Sequence, residues 1–233
     1  MNKKFTALMY HNIKLDGDKF TVSKKQFLNQ MSLVSKRNEK LFSLKKISYN
    51  NFGNIITFDD GFKSDLWAAQ KLSEFGFTAT FFVVKDYSIS NNYYLNENEI
   101  IEISELGHEI GVHGKSHEWW TSLNEEKLID DLSEAKCWIE SLISKEVMSC
   151  SAPGGKINNN VIKNIKSSNL FKYIRTSKPG INSLNTKLIN AVPIYKSTNI
   201  EQFKKIINCN KHYYFKQKSI YYFKELIKNI LNK

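Results

Sequence analysis

The sequence predicts an α/β fold, a distorted TIM-like (β/α) barrel of about seven parallel strands with its active site at the carboxyl ends of the strands. Short apolar runs alternate with helix-like segments along most of the 233 residues, which is the pattern of a parallel sheet covered by helices. Polar residues, among them His11, Asp59, Asp60 and His113, follow predicted strands directly. Barrel active sites lie at these strand ends, so the polar residues support the same fold.

The predicted strands are short runs rich in apolar, β-branched and aromatic residues. They comprise residues 5–10, 55–58, 78–84, 108–113, 147–151, 173–176 and 191–195. Helices are predicted between them from apolar residues at helical spacing, such as Phe27, Met31 and Val34, and from a terminating glycine such as Gly76. These helices comprise residues 24–37, 64–75, 99–105, 122–143 and 158–167.

The chain is expected to form one domain, residues 1–233, because no linker, repeat or low-complexity segment divides it. Its last part, residues 200–233, is a basic helical tail in which Tyr222, Phe223 and Leu226 stand among lysines. The tail either covers the barrel or lies on an anionic membrane surface.

Composition argues against a nucleic-acid reader. The formal net charge is +11, from 34 Lys and Arg against 23 Asp and Glu, which suits an anionic partner. The lysines are dispersed, however, and the two arginines are Arg37 and Arg175. Because base readout relies on arginine, we expect no nucleic-acid partner.

Cysteine usage and the amino terminus predict a cytoplasmic protein. The three cysteines, Cys137, Cys150 and Cys209, include no close pair, which favours a reducing compartment. The apolar run before His11 is too short for a signal-peptide core, and no run approaches the roughly 20 residues of a membrane span. Membrane contact is then expected only at the inner face of the cell membrane, through the tail.

Two adjacent carboxylates, Asp59 and Asp60, follow the apolar strand 55–58 and precede Gly61. Successive strand residues point to opposite faces, so the two cannot do the same job unless the chain bends at this point. Crowded carboxylates repel unless a cation neutralises one of them, which predicts a metal ion nearby. The alternative is an ordinary turn in which one aspartate caps the next helix.

A pair of histidines, His113 and His117, supplies the ligands that such a metal needs. If this segment turns helically, both imidazoles lie on one side. Together with Asp60 they offer two nitrogens and one oxygen and leave positions open for water and substrate, as in catalytic metal sites. The alternative is a pair of surface histidines. His108 is interpreted as structural, because it lies at the start of the strand.

Ordered motifs in the sequence resemble those of the polysaccharide deacetylases (NodB-homology domain, carbohydrate esterase family four). The resemblance covers about residues 5–195 and rests on the segments 57–61, 113–117 and 152–155, together with the phrases 79–83 and 107–111. It implies a metal-dependent hydrolase that removes an N-acetyl group from an amino sugar.

The resemblance also implies roles for individual residues. Asp59 is the general base, and Asp60, His113 and His117 bind the metal, most often Zn²⁺. The turn of Pro153, Gly154 and Gly155 is expected to hold the oxyanion through backbone N–H groups. The alternative for these three residues is a plain tight turn.

The general acid is expected at His11. Many family members carry this histidine in a late Leu-x-His strand, which is not found here. Some members are circularly permuted, with that strand first, and Leu8-Met9-Tyr10-His11 resembles the permuted motif. The alternatives are a histidine packed at the strand end and a further metal ligand.

Two departures from the family pattern concern the surroundings of the site. The arginine that orients the base is replaced by Ser151, and Arg175 at the end of a later strand either substitutes for it or is a substrate or surface residue. The family's later Asp–Trp element of the substrate groove is not evident. Trp119 and Trp120 either stack on a sugar ring or pack beneath the active-site loop.

The leading hypothesis is removal of an N-acetyl group from an amino sugar or oligosaccharide used in surface-polysaccharide or glycolipid assembly. A lipid-linked or nucleotide-linked substrate suits a cytoplasmic enzyme with a basic tail. One alternative is a deformylase or other amidase acting on a small or lipid-linked sugar. Another is a non-catalytic barrel that binds sugar.

Overall fold

The computed structural model describes residues 3–48, 50 and 52–231. The predicted domain, 1–233, and its tail, 200–233, therefore include the terminal residues 1, 2, 232 and 233, which lie outside the described residues. That the chain forms a single domain stays a prediction.

The regular elements follow the predicted alternation of strands and helices. The strands are β1 (Lys4–Phe5), β2 (Ala7–Tyr10), β3 (Leu41–Phe42), β4 (Asn54–Phe58), β5 (Thr80–Val83), β6 (Glu109–Val112), β7 (Ser149–Ser151), β8 (Tyr173–Thr176), β9 (Asn182–Ser183), β10 (Leu188–Asn190) and β11 (Val192–Pro193). The helices are α1 (Lys24–Lys36), α2 (Ser64–Glu74), α3 (Lys85–Ser90), α4 (Glu97–Glu105), α5 (Glu125–Ile143), α6 (Asn159–Ser168), α7 (Ile200–Ile207) and α8 (Lys211–Leu231).

Several elements had not been predicted. The helix α3 and the two-residue strands β1, β3 and β9 give little periodic signal because they are so short. Helix α4 begins two residues earlier than predicted. Asn96 and Glu99 form a reciprocal capping box there, each accepting the other's backbone N–H.

Eight strands form a continuous parallel path in the order β10, β8, β7, β6, β5, β4, β2 and β11, and β3 pairs with the start of β4. The two ends of this path meet through the chain itself, because Ala191 alone separates β10 from β11. The N–H of Ala191 donates to the carbonyl of Thr176 (3.1 Å), and that of Ile194 donates to Met9 (2.9 Å). The sheet is thus nearly closed into a barrel, which confirms the predicted fold class.

Side chains on the barrel strands alternate between two apolar layers. In β2, Leu8 and Tyr10 belong to a cluster that includes the buried faces of the helices. Ala7 and Met9 belong to a second cluster, which contains strand and loop residues and no residue of an α-helix. This second layer is the barrel interior, as the period of two in a strand requires. The alternation decides which polar side chains reach the interior at the strand ends.

The predicted helical tail comprises two helices, α7 and α8. Cys209 has a left-handed backbone (φ 51°), which ends α7, and the Asn210 side chain accepts the N–H of Tyr213 at the start of α8. Tyr214 is buried and its hydroxyl hydrogen-bonds that of Thr6, so one face of α8 is anchored to the barrel.

The opposite face of α8 is apolar and exposed. We call it the α8 outer face; it consists of Phe215, Tyr222, Phe223, Leu226 and Ile227, whose exposed fractions range from 40% to 75%. Among the described residues, no helix is long and apolar enough to cross a membrane.

Candidate active site

A cavity of about 550 Å³ opens at the carboxyl ends of the barrel strands. It lies where the fold prediction placed the active site, and its volume is in the range of small-molecule sites. The predicted site residues that line it are His11, Asp59, Asp60, His113, His117, Gly154 and Gly155. Pro153, Arg175 and Trp119 do not line it.

Asp59 and Asp60 reach the site by different routes. Ile55 points into the barrel interior. Asp59 lies four residues further on, so strand alternation places its side chain on the same side, where it is 5% exposed. Asp60 would then point outward, but its backbone is left-handed (φ 75°), as is that of Gly61 (φ 70°). A left-handed backbone at an aspartate costs conformational energy. Here it turns the carboxylate of Asp60 toward the histidines.

The histidine clamp is a loop and does not form the helical turn that would place both imidazoles on one side. Gly114 and His117 have positive φ angles of 85° and 65°, which an α-helix does not permit. The Asp131 carboxylate on α5 accepts the N–H groups of Lys115 (3.1 Å) and Ser116 (3.4 Å) and holds the loop in place. Both imidazoles nevertheless converge, with ring centroids 5.1 Å apart.

The three predicted metal ligands meet in one cluster. Oδ1 of Asp60 lies 3.1 Å from Nε2 of His113 and 3.2 Å from Nε2 of His117. His113 donates its Nδ1–H to the carbonyl of Ser151 (2.8 Å), which leaves the Nε2 lone pair free to bind a cation. Nε2 of His117 is buried and lacks a hydrogen bond within the described chain.

This cluster fits a divalent cation. One ligand atom from each of Asp60, His113 and His117 lies within 4.8 Å of the others. Burial acts to raise the pKa of Asp60, but the two imidazoles beside its carboxylate outweigh burial and lower that pKa below its usual range. An ionised carboxylate with two imidazole nitrogens is a donor set that Zn²⁺ accepts, with positions left open for water and substrate.

Asp59 has a separate cationic partner. Nη2 of Arg175 donates to Oδ1 of Asp59, and the guanidinium is fully buried over the ring of Phe82, 5.2 Å from its centroid. Its Nη1 donates to the sulfur of Met9 (2.7 Å). Arg175 projects into the interior because it lies two residues after Tyr173, a member of the inner layer.

Arg175 lies level with position 151, where the family pattern has an arginine. Ser151 on β7 and Arg175 on β8 are register partners in the parallel sheet. The guanidinium therefore enters the barrel interior at the level of Ser151, from the neighbouring strand. Ser151 meanwhile contributes its carbonyl to His113. From there Arg175 contacts Asp59. That it substitutes for the missing arginine stays a prediction.

His11 lies across the cavity from the clamp. Its Nε2 is 4.0 Å from Oδ2 of Asp59, and its ring stands against Phe20 at a centroid distance of 4.6 Å. Its Nδ1 is buried and has no hydrogen-bond partner among the described residues. Burial lowers the pKa of His11, and the charge of Asp59 opposes this only partly. His11 is thus poised beside the carboxylate that Arg175 holds.

The glycine turn offers fewer donors than the sequence suggested. Pro153 has no N–H, and Gly155 donates its N–H to the carbonyl of Ala152 (3.0 Å) within the turn. The N–H of Gly154 makes none of the hydrogen bonds found within the turn. Both glycines have positive φ, and a Cβ on Gly155 would lie 2.7 Å from Oγ of Ser177. Position 155 therefore requires glycine for two reasons: its backbone conformation and the lack of space for a side chain.

The tryptophan pair divides between surface and core. Trp120 is fully buried, whereas Trp119 is 54% exposed and carries Nζ of Lys156 5.0 Å above its ring. Trp119 lies beside Gly154, at the edge of the site rather than in its wall.

The cavity wall also contains residues that were not predicted, among them Phe20, Tyr195 and Tyr221. They belong to loops and to α8, outside the motifs. Aromatic residues in such segments give no local signal of a site. Asp131, which positions the clamp, was also missed, since an acidic residue on a helix surface is ordinary.

Comparisons with known proteins agree on one family. A family model described as polysaccharide deacetylase matches residues 53–171, which is 119 of the 233 residues. The matched stretch contains Asp59, Asp60, His113 and His117, while His11 and Arg175 lie outside it.

Two curated relatives match in sequence. The peptidoglycan-N-acetylglucosamine deacetylase of Bacillus cereus is 33% identical over 114 residues, which are 48% of this chain and 50% of the relative. YxkH of Bacillus subtilis is 24% identical over 186 residues, 76% of this chain and 66% of the relative. The chain thus spans between half and two thirds of the length of these relatives.

Solved structures share the fold. The Streptococcus pyogenes deacetylase PplD, in complex with acetate, has a TM-score of 0.80 at 18% identity, covering 89% of this chain and 99% of that one. BC0361, a polysaccharide deacetylase from Bacillus cereus, has a TM-score of 0.79 at 23% identity, covering 88% of this chain and 69% of that one.

The geometry predicts which aspartate binds the metal. Protein loaded with Zn²⁺ and dialysed should retain about one ion per chain by elemental analysis, because three ligands converge at one point. Asp60→Ala should lose most of it, since the remaining imidazoles have no anionic partner. Asp59→Asn should retain it. Loss of zinc from the Asp59 variant and retention by the Asp60 variant would reverse this assignment.

Proposed function

The chain belongs to the polysaccharide deacetylase family, and we propose that it hydrolyses the N-acetyl group of an amino sugar with a divalent metal ion, Zn²⁺ by preference. The observation that carries this proposal is the separate neutralisation of two adjacent carboxylates. Asp60 faces two imidazoles, and Asp59 faces a guanidinium. This division is what a hydrolase needs if one carboxylate is to bind a metal and the other is to accept a proton.

Asp59 is proposed to act as the general base. Arg175 occupies Oδ1, so Oδ2, which faces His11 across 4.0 Å, is the oxygen available to take a proton from water. A divalent ion held by Asp60, His113 and His117 would supply Lewis acidity toward the amide carbonyl and acidify water. Arg175 fixes the orientation of Asp59, because its guanidinium donates a charge-assisted hydrogen bond to one carboxylate oxygen.

His11 is proposed to protonate the leaving amine. Hydrolysis breaks one O–H bond of water and the C–N bond of the amide, so one proton must reach the nitrogen. Burial lowers the pKa of His11, and a resting neutral imidazole must gain its proton before it can give one. The proton accepted by Asp59 needs to cross only 4.0 Å to reach Nε2 of His11. The backbone N–H of Gly154 is proposed to stabilise the oxyanion.

The proposed substrate is an N-acetylated saccharide used in the assembly of a surface polysaccharide or glycolipid. The relative that acts on peptidoglycan N-acetylglucosamine supports an N-acetylglucosamine unit, although the chain spans only half of that protein. A lipid-linked or nucleotide-linked form and a cytoplasmic location belong to this proposal as well. Trp119, exposed at the edge of the site, is a platform on which a sugar ring could stack.

We further propose that the α8 outer face rests on an anionic membrane. The face is apolar, and lysines 211, 216, 218 and 224 of the same helix are exposed around it. The net charge of +11 supports an anionic surface as the partner. Because Tyr221 of α8 lines the active-site cavity, membrane contact through this helix would bring the site close to the headgroups of lipid-linked sugars.

Removal of the base should abolish turnover without removing the metal. In the zinc-loaded protein, Asp59→Asn is expected to lower kcat for acetate release by about 10² to 10⁴, the usual contribution of a general base. Acetate release would be measured on a panel of N-acetylated amino sugars. Asp16→Asn, whose carboxylate is 88% exposed, is the matched control and should behave as wild type. Full activity of the Asp59 variant would refute the proposed role.

The membrane proposal is tested with vesicles. Wild-type protein should sediment with phosphatidylserine-containing vesicles and not with neutral ones, and added salt should weaken the binding by screening the lysines. Leu226→Ser should reduce the bound fraction several-fold, because it removes apolar contact from the α8 outer face. The control is Leu15→Ser, an 83% exposed leucine in a loop. Equal binding by wild type and both variants would contradict the assignment of this face.

A further inference from the structure

A polar pocket of about 350 Å³ lies between the start of α1 and the turn that leads into α7. We call it the α1–α7 pocket; residues of the segments 23–30 and 196–200 line it. None of these residues lines the catalytic cavity, so the two depressions are separate. The volume is in the range of small-ligand sites.

The two walls of the α1–α7 pocket are joined by Gln26. Its side-chain amide donates to the carbonyls of Tyr195 (3.1 Å) and Thr198 (3.0 Å), which connects α1 to the turn before α7. Oγ of Thr198 accepts the N–H of Tyr195 (2.9 Å) within that turn. The protein itself thus holds both walls in position, so a ligand need not order them.

A buried amide without an acceptor borders this pocket. Gln30 is 1% exposed, and its Oε1 accepts the hydroxyl hydrogen of the buried Tyr10 (2.7 Å). Its Nε2 is buried and has no hydrogen-bond partner among the described residues. With Oε1 directed at Tyr10 in the core, the N–H groups of Nε2 are the donors that Gln30 presents to the pocket. A buried donor without an acceptor is unfavourable, so a ligand oxygen here would be stabilising.

The pocket is also positively charged. Lys25 and Lys196 are exposed on its two walls, and within the described chain no Asp or Glu lines it. Lys25 has no ion-pair partner among the residues described, and Lys196 has a loose, exposed pair with Asp16 at 3.8 Å. The first turn of α1 carries Lys24 and Lys25 and no acidic residue, although a helix N-terminus favours negative charge. An anion in the pocket would offset this excess of positive charge.

The start of α7 adds backbone donors on the opposite wall. Oδ1 of Asn199 caps this helix by accepting the N–H of Gln202 (2.9 Å). Helix geometry leaves the N–H groups of Ile200 and Glu201 without an intrahelical acceptor. The Glu201 carboxylate pairs with Lys204 (2.7 Å) and does not line the pocket. A helix start, two lysines and a buried amide therefore border the same volume.

We propose that the α1–α7 pocket binds the phosphate group of a small, free phosphomonoester, at a site separate from the catalytic cavity. Phosphate oxygens accept hydrogen bonds from ammonium, amide and helix-start N–H groups, which are the donors present here. Among the described residues, Ile200 is the one apolar side chain of the lining and no aromatic ring belongs to it. This lining disfavours a lipid chain and gives a neutral sugar no stacking surface. The proposal does not depend on hydrolysis, since no residue of this pocket takes part in the proposed reaction.

Calorimetry with inorganic phosphate and with glycerol 3-phosphate tests this site in the zinc-loaded protein. Each probe should bind saturably, at about one per chain. Lys25→Ala combined with Lys196→Ala should weaken binding about tenfold or more, because two charge-assisted contacts are lost. Gln30→Glu should also weaken it, since the change keeps an acceptor for Tyr10 and replaces the N–H groups with an oxygen. The matched control is Lys163→Ala combined with Lys166→Ala, an exposed lysine pair on α6, which should bind phosphate as wild type does.

Because zinc can itself bind phosphate, Asp60→Ala, which should lose the metal, separates the two sites. Phosphate binding that persists in Asp60→Ala and is weakened by the Lys25 and Lys196 changes supports the α1–α7 pocket. Binding that disappears with Asp60→Ala, equal weakening by both lysine pairs, or no binding by wild type would refute it. If Gln30→Glu does not fold, the exposed lysine pairs still decide. Vesicles containing phosphatidic acid test the source: binding that requires Lys25 and Lys196, without binding of either soluble probe, would overturn the assignment of a free ligand.

Discussion

Two neighbouring carboxylates in one cavity repel each other, and the arrangement of the other site residues follows from this repulsion. Strand alternation alone would send Asp59 inward and Asp60 outward. The left-handed backbone at Asp60 brings both to one cavity, which creates the conflict. Each aspartate then has its own positive or potentially positive partner: Arg175 for the first, and two imidazoles for the second. The strained backbone at a ligand position is the kind of cost that functional sites carry.

The parallel barrel makes this arrangement possible because it gathers strand ends that are distant in sequence. His11, Asp59 and His113 each follow a barrel strand, and Arg175 lies within another. The register of β7 with β8 sets Arg175 level with Ser151. An interior position can thus be filled from either of two adjacent strands, and the guanidinium still reaches Asp59. This geometric freedom explains how a hydrolase of this family could work without an arginine at position 151.

Local sequence was informative where the chemistry is local and uninformative where it depends on distant chain segments. The apolar runs predicted the barrel, and Asp60, His113 and His117 were recognisable from their spacing. Spacing alone did not show the conformation of residues 113–117, which form a loop because Gly114 and His117 adopt left-handed conformations and a remote carboxylate, Asp131, holds the segment. The wall formed by α8 could not be foreseen for the same reason. Tyr221 reaches the cavity only through the docking of Tyr214, and amphipathic periodicity does not say where a helix docks.

Anomalous diffraction at the zinc absorption edge, from crystals of the zinc-loaded protein, tests the central claim most directly. The account predicts one anomalous peak, at bonding distance from Asp60, His113 and His117, with Asp59 outside the coordination sphere and still held by Arg175. A peak coordinated by Asp59, or by both aspartates together, would contradict the division of roles between them. A structure in which Arg175 has left Asp59 once zinc is bound would contradict the assignment of Arg175 as the residue that orients the base.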